Sequence, residues 1–211
     1  MDYNATGADD GLGIDDWSIT ANSSGSGTPP TLTADATNNN VDNNIDITFT
    51  DDATWRAAVT VVKIGGTALT VTTDYVLSAG NLRLKPSGLN TLLTTSGSKT
   101  VTVEATGYST ASVTQQINVG ADNKLAIKTQ PAAPATNGAV LATQPAVYIQ
   151  DQYGNTTTST ASVTATVGSG TWTIGGTSPV NGVSGTATFT DLTATSVAAV
   201  TGATITFTSS G

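Results

Sequence analysis

Cysteine and histidine are absent from this chain, and methionine occurs once. Without them there is no thiol nucleophile, no disulfide, no Ser-His-Asp relay and no ordinary zinc site. Charge is scarce as well: 7 Lys+Arg and 15 Asp+Glu among 211 residues leave a net charge of −8. An acidic surface repels phosphate backbones, and seven scattered cations form no basic stripe, so nucleic acid is not an expected partner. No apolar run approaches the roughly 20 residues that cross a bilayer, so no membrane span is expected. The start, Met1-Asp2-Tyr3-Asn4, lacks the basic and apolar regions of a signal peptide. The chain therefore reads as an excerpt of a longer secreted protein, or as one whose export signal has been removed.

What is abundant points to strands. Thr makes up about one residue in five, Gly and Ser are frequent, and Leu, Glu and Lys are few, a composition that favours an all-β chain over a helical enzyme. The length suits two sandwich-sized units. Ten of the fifteen carboxylates precede Arg56, the first basic residue. Residues 22–28 carry a flexible Gly/Ser tract that runs into the stiff pair Pro29-Pro30 and read as a linker. A second joint is expected at Gly120-Ala121-Asp122-Asn123. The expected division is a terminal strand of a preceding module at 1–21, the linker at 22–28, and two blocks at 29–120 and 121–211.

In the first block Ile45, Ile47 and Phe49 alternate with Asp46, Thr48 and Thr50, the period of a half-buried strand. The period then switches: Trp55, Ala58, Val59 and Val62 recur at helical spacing behind Asp51-Asp52, which suit a helix N-terminus. One short helix over residues 52–59 is predicted. A strand resumes over 59–64, Gly65-Gly66 marks a turn, and Ala79-Gly80-Asn81 reverses residues 75–77 into 82–84. Val101, Val103 and Ala105 face one side, and the next strand returns through Val113, Ile117 and Val119. Gln115 falls on that apolar face, as at a bulge or a strand end. The second block continues without a helix: Val147 and Ile149, then Val163, Ala165 and Val167, then Trp172 and Ile174, and lastly Ile205 and Phe207 supply its inward sets. Turn signals at intervals of about 8–12 residues favour sandwiches.

Residues 49–59, Lys63-Ile64-Gly65-Gly66-Thr67-Ala68-Leu69, Tyr75 and Val103-Glu104-Ala105-Thr106-Gly107-Tyr108 resemble, in order, the hemoglobin-interacting domain family of Shr-like haem-uptake proteins, over about 29–120. The resemblance implies a β-sandwich-like bacterial surface module with one short helix. Hemoglobin binding belongs to only a few of that family's bearers. Haem itself gains no support, since the chain has no His and neither Met1 nor the five Tyr supply grounds for an axial ligand. Lys124-Leu125-Ala126-Ile127, Gln144-Pro145-Ala146-Val147, Asp151-Gln152-Tyr153-Gly154-Asn155 and Gly182-Val183-Ser184-Gly185 through Phe189 are similar to invasin-type bacterial Ig-like repeats over about 121–211. In those repeats Asp-x-x-Gly-Asn ends a strand, and the usual role is a stalk. Residues 7–19 look like the last strand of a jelly-roll module upstream.

Several residues carry a functional reading beside a plain one. Asp9, Asp10, Asp15 and Asp16, and likewise Asp35, Asp42, Asp46, Asp51 and Asp52, offer oxygens to calcium, but their spacing is not that of an EF-hand and solvated turns are the expected role. Asp51-Asp52 as a glycosidase pair would have to face each other across a cleft, whereas adjacent carboxylates at a helix start have a capping role. Trp55, with Arg56, Tyr75 and Tyr108, is a candidate anchor for a protein or sugar, against core packing. Trp172 is expected in the core. Asn4, Asn22 and Asn155 head glycosylation-type triplets and read as loop residues. No catalytic, cofactor-binding or metal-ligating residue is assigned, and no cofactor is expected.

The expected fold is all-β: tandem immunoglobulin-like β-sandwiches, the first with one short helix. The leading function is a non-catalytic spacer within an extracellular or bacterial cell-surface adhesin, filament or large secreted protein. Its expected partners are neighbouring β modules of the same longer polypeptide or adjacent subunits. The alternative is a module binding a host protein or glycan through the first domain. A buried Trp55 favours the spacer, and exposed Trp and Tyr around it favour binding. Repeats like the second block normally continue past residues 203–211 into one more strand, so an open sheet edge is expected. The favoured explanation is that the chain was cut there. The alternative is a strand donated by a neighbour, with residues 17–21 as the candidate donor.

Overall fold

A computed structural model of the chain describes residues 26–210. The expected terminal strand at 1–21, the acidic group Asp9, Asp10, Asp15 and Asp16, the first part of the linker and the triplets at Asn4 and Asn22 lie outside the described residues.

Strand β1 (Ile45–Thr48) leads into helix α1 (Ala53–Ala58) and β2 (Val59–Ile64), followed by β3 (Thr67–Ala68), β4 (Tyr75–Ser78), β5 (Asn81–Leu84), helix α2 (Thr91–Thr94), β6 (Gly97–Ala105) and β7 (Ala111–Ile117). Two antiparallel sheets result, β1-β5-β4 and β3-β2-β6-β7, and they close over one core. Period-two alternation decides which side chains enter it: Ile45 and Ile47, Leu82 and Leu84, and Val101 and Val103 are all fully buried. The hairpins turn where the sequence says, with Gly65, Gly66 and Gly80 at positive φ, which favours glycine. Helix α1 forms because Asp52 accepts hydrogen bonds from Thr54 N and Trp55 N. The four-residue α2, capped by Asn90 and preceded by a 3-10 turn over Pro86–Gly88, adds to the expected helix. It is too short to leave a 3.6-residue signature in the sequence.

Gln115 departs from the expectation of a bulge or a strand end. It sits fully buried inside β7, in unbroken register opposite Lys99 on β6. Its Nε2 donates to Asp35 O at 2.9 Å and its Oε1 accepts from Asp35 N at 2.8 Å. The amide thus supplies both groups of a ladder rung and fixes the strandless stretch before β1 to the sheet.

The remaining strands are β8 (Lys124–Thr129), β9 (Ala146–Gln150), β10 (Ser162–Ser169), β11 (Thr173–Gly175), β12 (Val180–Asn181), β13 (Thr186–Thr188), β14 (Thr193–Thr195) and β15 (Thr204–Ser209). They form the antiparallel sheets β13-β9-β8 and β12-β10-β15, with the small pair β11-β14 beside them. A second, separate core lies between them around Val147, Ile149, Val163, Phe189 and Leu192. Trp172 does not join that core as expected. It precedes β11, is half-buried, and donates from Nε1 to Ser169 O. Among the described residues β8 and β15 stand at the ends of their strand orders, next to β9 and β10 respectively.

Candidate functional site

The aromatic patch offered by the sequence is not a surface. Asp52 sets the helical phase of α1, which turns Trp55 inward to full burial, edge-on to Phe49 at 5.2 Å between ring centroids. Tyr75 is buried in β4, and burial pushes its hydroxyl pKa up. Tyr108 packs across Gly27, where an added Cβ would lie 2.8 Å from the ring. Arg56 turns back to Asp51, with Nε at 3.0 Å and Nη2 at 3.2 Å from the two carboxylate oxygens. The four residues therefore share a fold and not a binding face.

The carboxylates are likewise engaged. Asp51 is held below its ordinary pKa, chiefly by Arg56 and further by Gly80 N. Asp46 is lowered chiefly by Arg83, against burial, with help from Asn81. Asp35 accepts from Thr37 N and Asp46 N, and Asp42 from Ala121 N and the Gln152 amide. Asp51 and Asp52 serve an ion pair and a helix cap instead of facing each other across a cleft. Among the described residues no group of three or more Asp or Glu is placed to hold a metal ion.

A different place in the first sandwich combines exposure with rigidity. The loop between β3 and β4 and the segment after β5 are laced around Asp74, a buried carboxylate. Asp74 Oδ2 accepts from Thr70 N at 2.7 Å and from Asn90 Nδ2 at 3.0 Å, and its backbone carbonyl accepts from Lys85 N. Lys85 Nζ donates back to Thr72 O at 2.7 Å. Gly88 lies so close to Thr73 O that a Cβ there would be at 2.6 Å. These bonds hold Thr72 and Leu89 at positive φ, 69° and 63°, where L side chains are strained. The same loops present Val71 at 58% exposure and Leu89 at 71%. A large aliphatic side chain that is both strained and solvated contributes little to folding, which marks the loop pair as a recognition surface candidate. Sequence reasoning passed over it because Asp74 resembled any other loop acid. The available signal was Lys85-Pro86-Ser87-Gly88-Leu89-Asn90, where a Leu interrupts a run of turn formers.

Between the sandwiches, the Asp151-Gln152-Tyr153-Gly154-Asn155 turn does more than end a strand. Asp151 is fully buried; Oδ1 accepts from Tyr153 N and Asn155 N at 2.9 Å each, and Oδ2 from Gly120 N at 3.0 Å and Asn155 Nδ2 at 2.8 Å. Burial pushes this carboxyl up, but those four bonds outweigh it and hold it below the ordinary value. Asn155 reaches across to the first sandwich, donating to Thr94 O at 2.8 Å and accepting from Ser96 N at 3.0 Å. Tyr153 packs against the first core. The joint at 120–123 is therefore stitched from both sides.

Two comparisons with known proteins find a match. Residues 32–118 match the sequence model of the family described as heme-binding protein Shr-like, Hb-interacting domain. A solved structure of the D00-D0 domain of intimin aligns over 86% of this chain and 98% of its own, with 14% sequence identity and a TM-score of 0.36. No curated protein matches the chain.

Proposed function

We propose that this chain is a non-catalytic segment of a bacterial cell-surface protein in which residues 29–120 bind a host protein, hemoglobin being the first candidate, and residues 121–211 hold that module at a set orientation. The match of residues 32–118 to a hemoglobin-interacting family carries this reading. The loop pair around Asp74 supplies the contact: preformed, with Val71 and Leu89 already displayed, it loses little conformational freedom on docking. The reading concerns a protein surface, and a chain without histidine gives haem itself no support.

The test is binding of the full chain to immobilised hemoglobin, with Leu89→Asp as the informative variant. Removing an exposed anchor and adding a charge at the centre of an interface is expected to weaken binding at least tenfold, with the thermal midpoint unchanged. No binding at tens of micromolar, or equal binding by L89D, rules out this surface. A spacer role is the second reading, favoured by the complete burial of Trp55 and by the hydrogen-bonded joint. It is the one left standing if no binding is seen.

A further inference from the structure

Helix α2 joins the exposed loop pair around Asp74 to the joint between the sandwiches. It is a single turn of four residues, and isolated helices shorter than about 12–15 residues are marginal in water, so it stands only because its surroundings hold it. They hold it at three places. Leu93, fully buried, anchors its middle in the first core. Asn90 caps its N-terminus: Oδ1 accepts from Leu92 N at 3.0 Å, while Nδ2 donates to Asp74 Oδ2 at 3.0 Å. The second sandwich closes its C-terminus. Asn155 Nδ2 donates to Thr94 O, a carbonyl that a helix end leaves without an intrahelical donor, and Asn155 Oδ1 accepts from Ser96 N. One asparagine thus caps each end, and the two come from different sandwiches.

The N-terminal cap is also where the loop pair is set. Leu89 makes the step from the 3-10 turn over Pro86–Gly88 into α2, at φ 63° and ψ 17°, and Asn90 follows it directly. A leucine keeps that left-handed conformation only while its neighbours over-determine it. On one side its own N–H donates to Pro86 O. On the other the Asn90 amide is tied both to α2, through Leu92 N, and to the loop before β4, through Asp74, which also accepts from Thr70 N. A shift of α2 therefore loosens Leu89 and the bonds of Asp74 together.

We propose that Asn155 is a positioning residue for this loop pair, so that the second sandwich keeps Val71 and Leu89 in their displayed conformation through α2. The inference rests, for its functional meaning, on the reading of the loop pair as the binding surface. The support behind Asn155 is firm: Asp151 accepts from its backbone N at 2.9 Å and from its Nδ2 at 2.8 Å, and Tyr153 of the same turn packs on the first core. Coupling between two sites is reciprocal, so loosening the loop pair must also loosen the joint at Ser96.

Amide hydrogen exchange, resolved residue by residue by NMR on the full chain, tests this. Asn155→Ala is expected to speed exchange about tenfold at Ser96 and also at Leu92, Thr70 and Lys85, whose N–H groups donate to Asn90 Oδ1, Asp74 Oδ2 and Asp74 O. Thr48, whose N–H donates to Thr33 O, is expected to be unchanged. A rise confined to Ser96 and residues 120–155 is what a merely structural seam would give, and it overturns the proposal. Asn90→Ala is the reciprocal variant and keeps the test decisive should Asn155→Ala fail to fold: faster exchange at Ser96 is expected, and an unchanged Ser96 overturns the proposal. On a chain that binds hemoglobin, Asn155→Ala is expected to weaken binding severalfold with the thermal midpoint of the first sandwich retained, and equal binding overturns the positioning role. Exchange needs no hemoglobin, so a chain that does not bind it ends the host-protein reading while the exchange result still decides the coupling.

Discussion

Replacing Asp151 with Asn isolates the joint between the sandwiches. The substitution preserves shape and removes one acceptor oxygen from a carboxylate that has four donors around it, two on each oxygen. Either flip of the amide turns an NH₂ group toward two N–H donors. If the amide keeps the Oδ1 position as oxygen, the turn bonds to Tyr153 N and Asn155 N survive, while those to Gly120 N and Asn155 Nδ2 are lost. In the other flip the turn itself breaks. Two hydrogen bonds to a buried charged acceptor contribute about 1.5–3 kcal/mol each, so the expected loss is about 3–6 kcal/mol. Urea unfolding of both chains at neutral pH, followed by tryptophan fluorescence, measures it. Gln152→Ala, which removes one exposed bond to Asp42, serves as the control with an expected effect under about 1 kcal/mol.

The pH dependence adds a signature of the carboxylate. The folded-state pKa of Asp151 is depressed, so on acidification the unfolded chain takes up its proton first. The stabilisation is complete above the unfolded value, about 3.9, and is lost as pH falls through the lower folded value. Asp46, Asp51 and Asp191 are shifted the same way but are present in both proteins, so they cancel in the comparison. The gap between wild type and D151N is therefore expected to narrow below about pH 4. A D151N midpoint within about 0.5 kcal/mol of wild type at pH 7, or a gap that does not change with acid, would refute the account of the joint.

Two further perturbations probe each sandwich separately. Gln115→Leu keeps the volume but strands Asp35 N and O, and a loss of about 2–4 kcal/mol confined to the first sandwich is expected in denaturant unfolding; a neutral result would mean that the 32–41 stretch is held by its apolar contacts alone. Gly185→Ala places a Cβ at 2.1 Å from Thr157 O at φ +72°, where β9, the 157–159 loop and the turn before β13 meet. It is expected to cost more than about 3 kcal/mol in the second sandwich, and a thermal midpoint within about 2 °C of wild type would sink that reading.

The all-β character, the hairpins and the short helix followed from local rules. Period-two alternation buried Ile45, Ile47, Val101 and Val103, and the switch of period at Trp55 came with a carboxylate cap placed to start a helix. These signals are legible because each depends on neighbours within a few residues. The roles of Gln115, Asp74 and Asn155 were not. Their partners lie 80, 16 and 61 residues away in sequence, and a polar side chain carries no mark of whether its hydrogen bonds go to water or to a distant backbone.

The candidate sites divide in the same way. Sequence alone placed Trp55 on a helix, because that is a matter of pattern. It left open which side of α1 faces the core, and tertiary packing decided that by closing Phe49 and both sheets over the indole. Nor did the chain's pattern distinguish Leu89 from a core leucine, since both are aliphatic residues between turn formers. The bonds to Asp74 force that backbone to positive φ and turn the side chain outward, so only the folded molecule separates a residue that stabilises from one that is displayed.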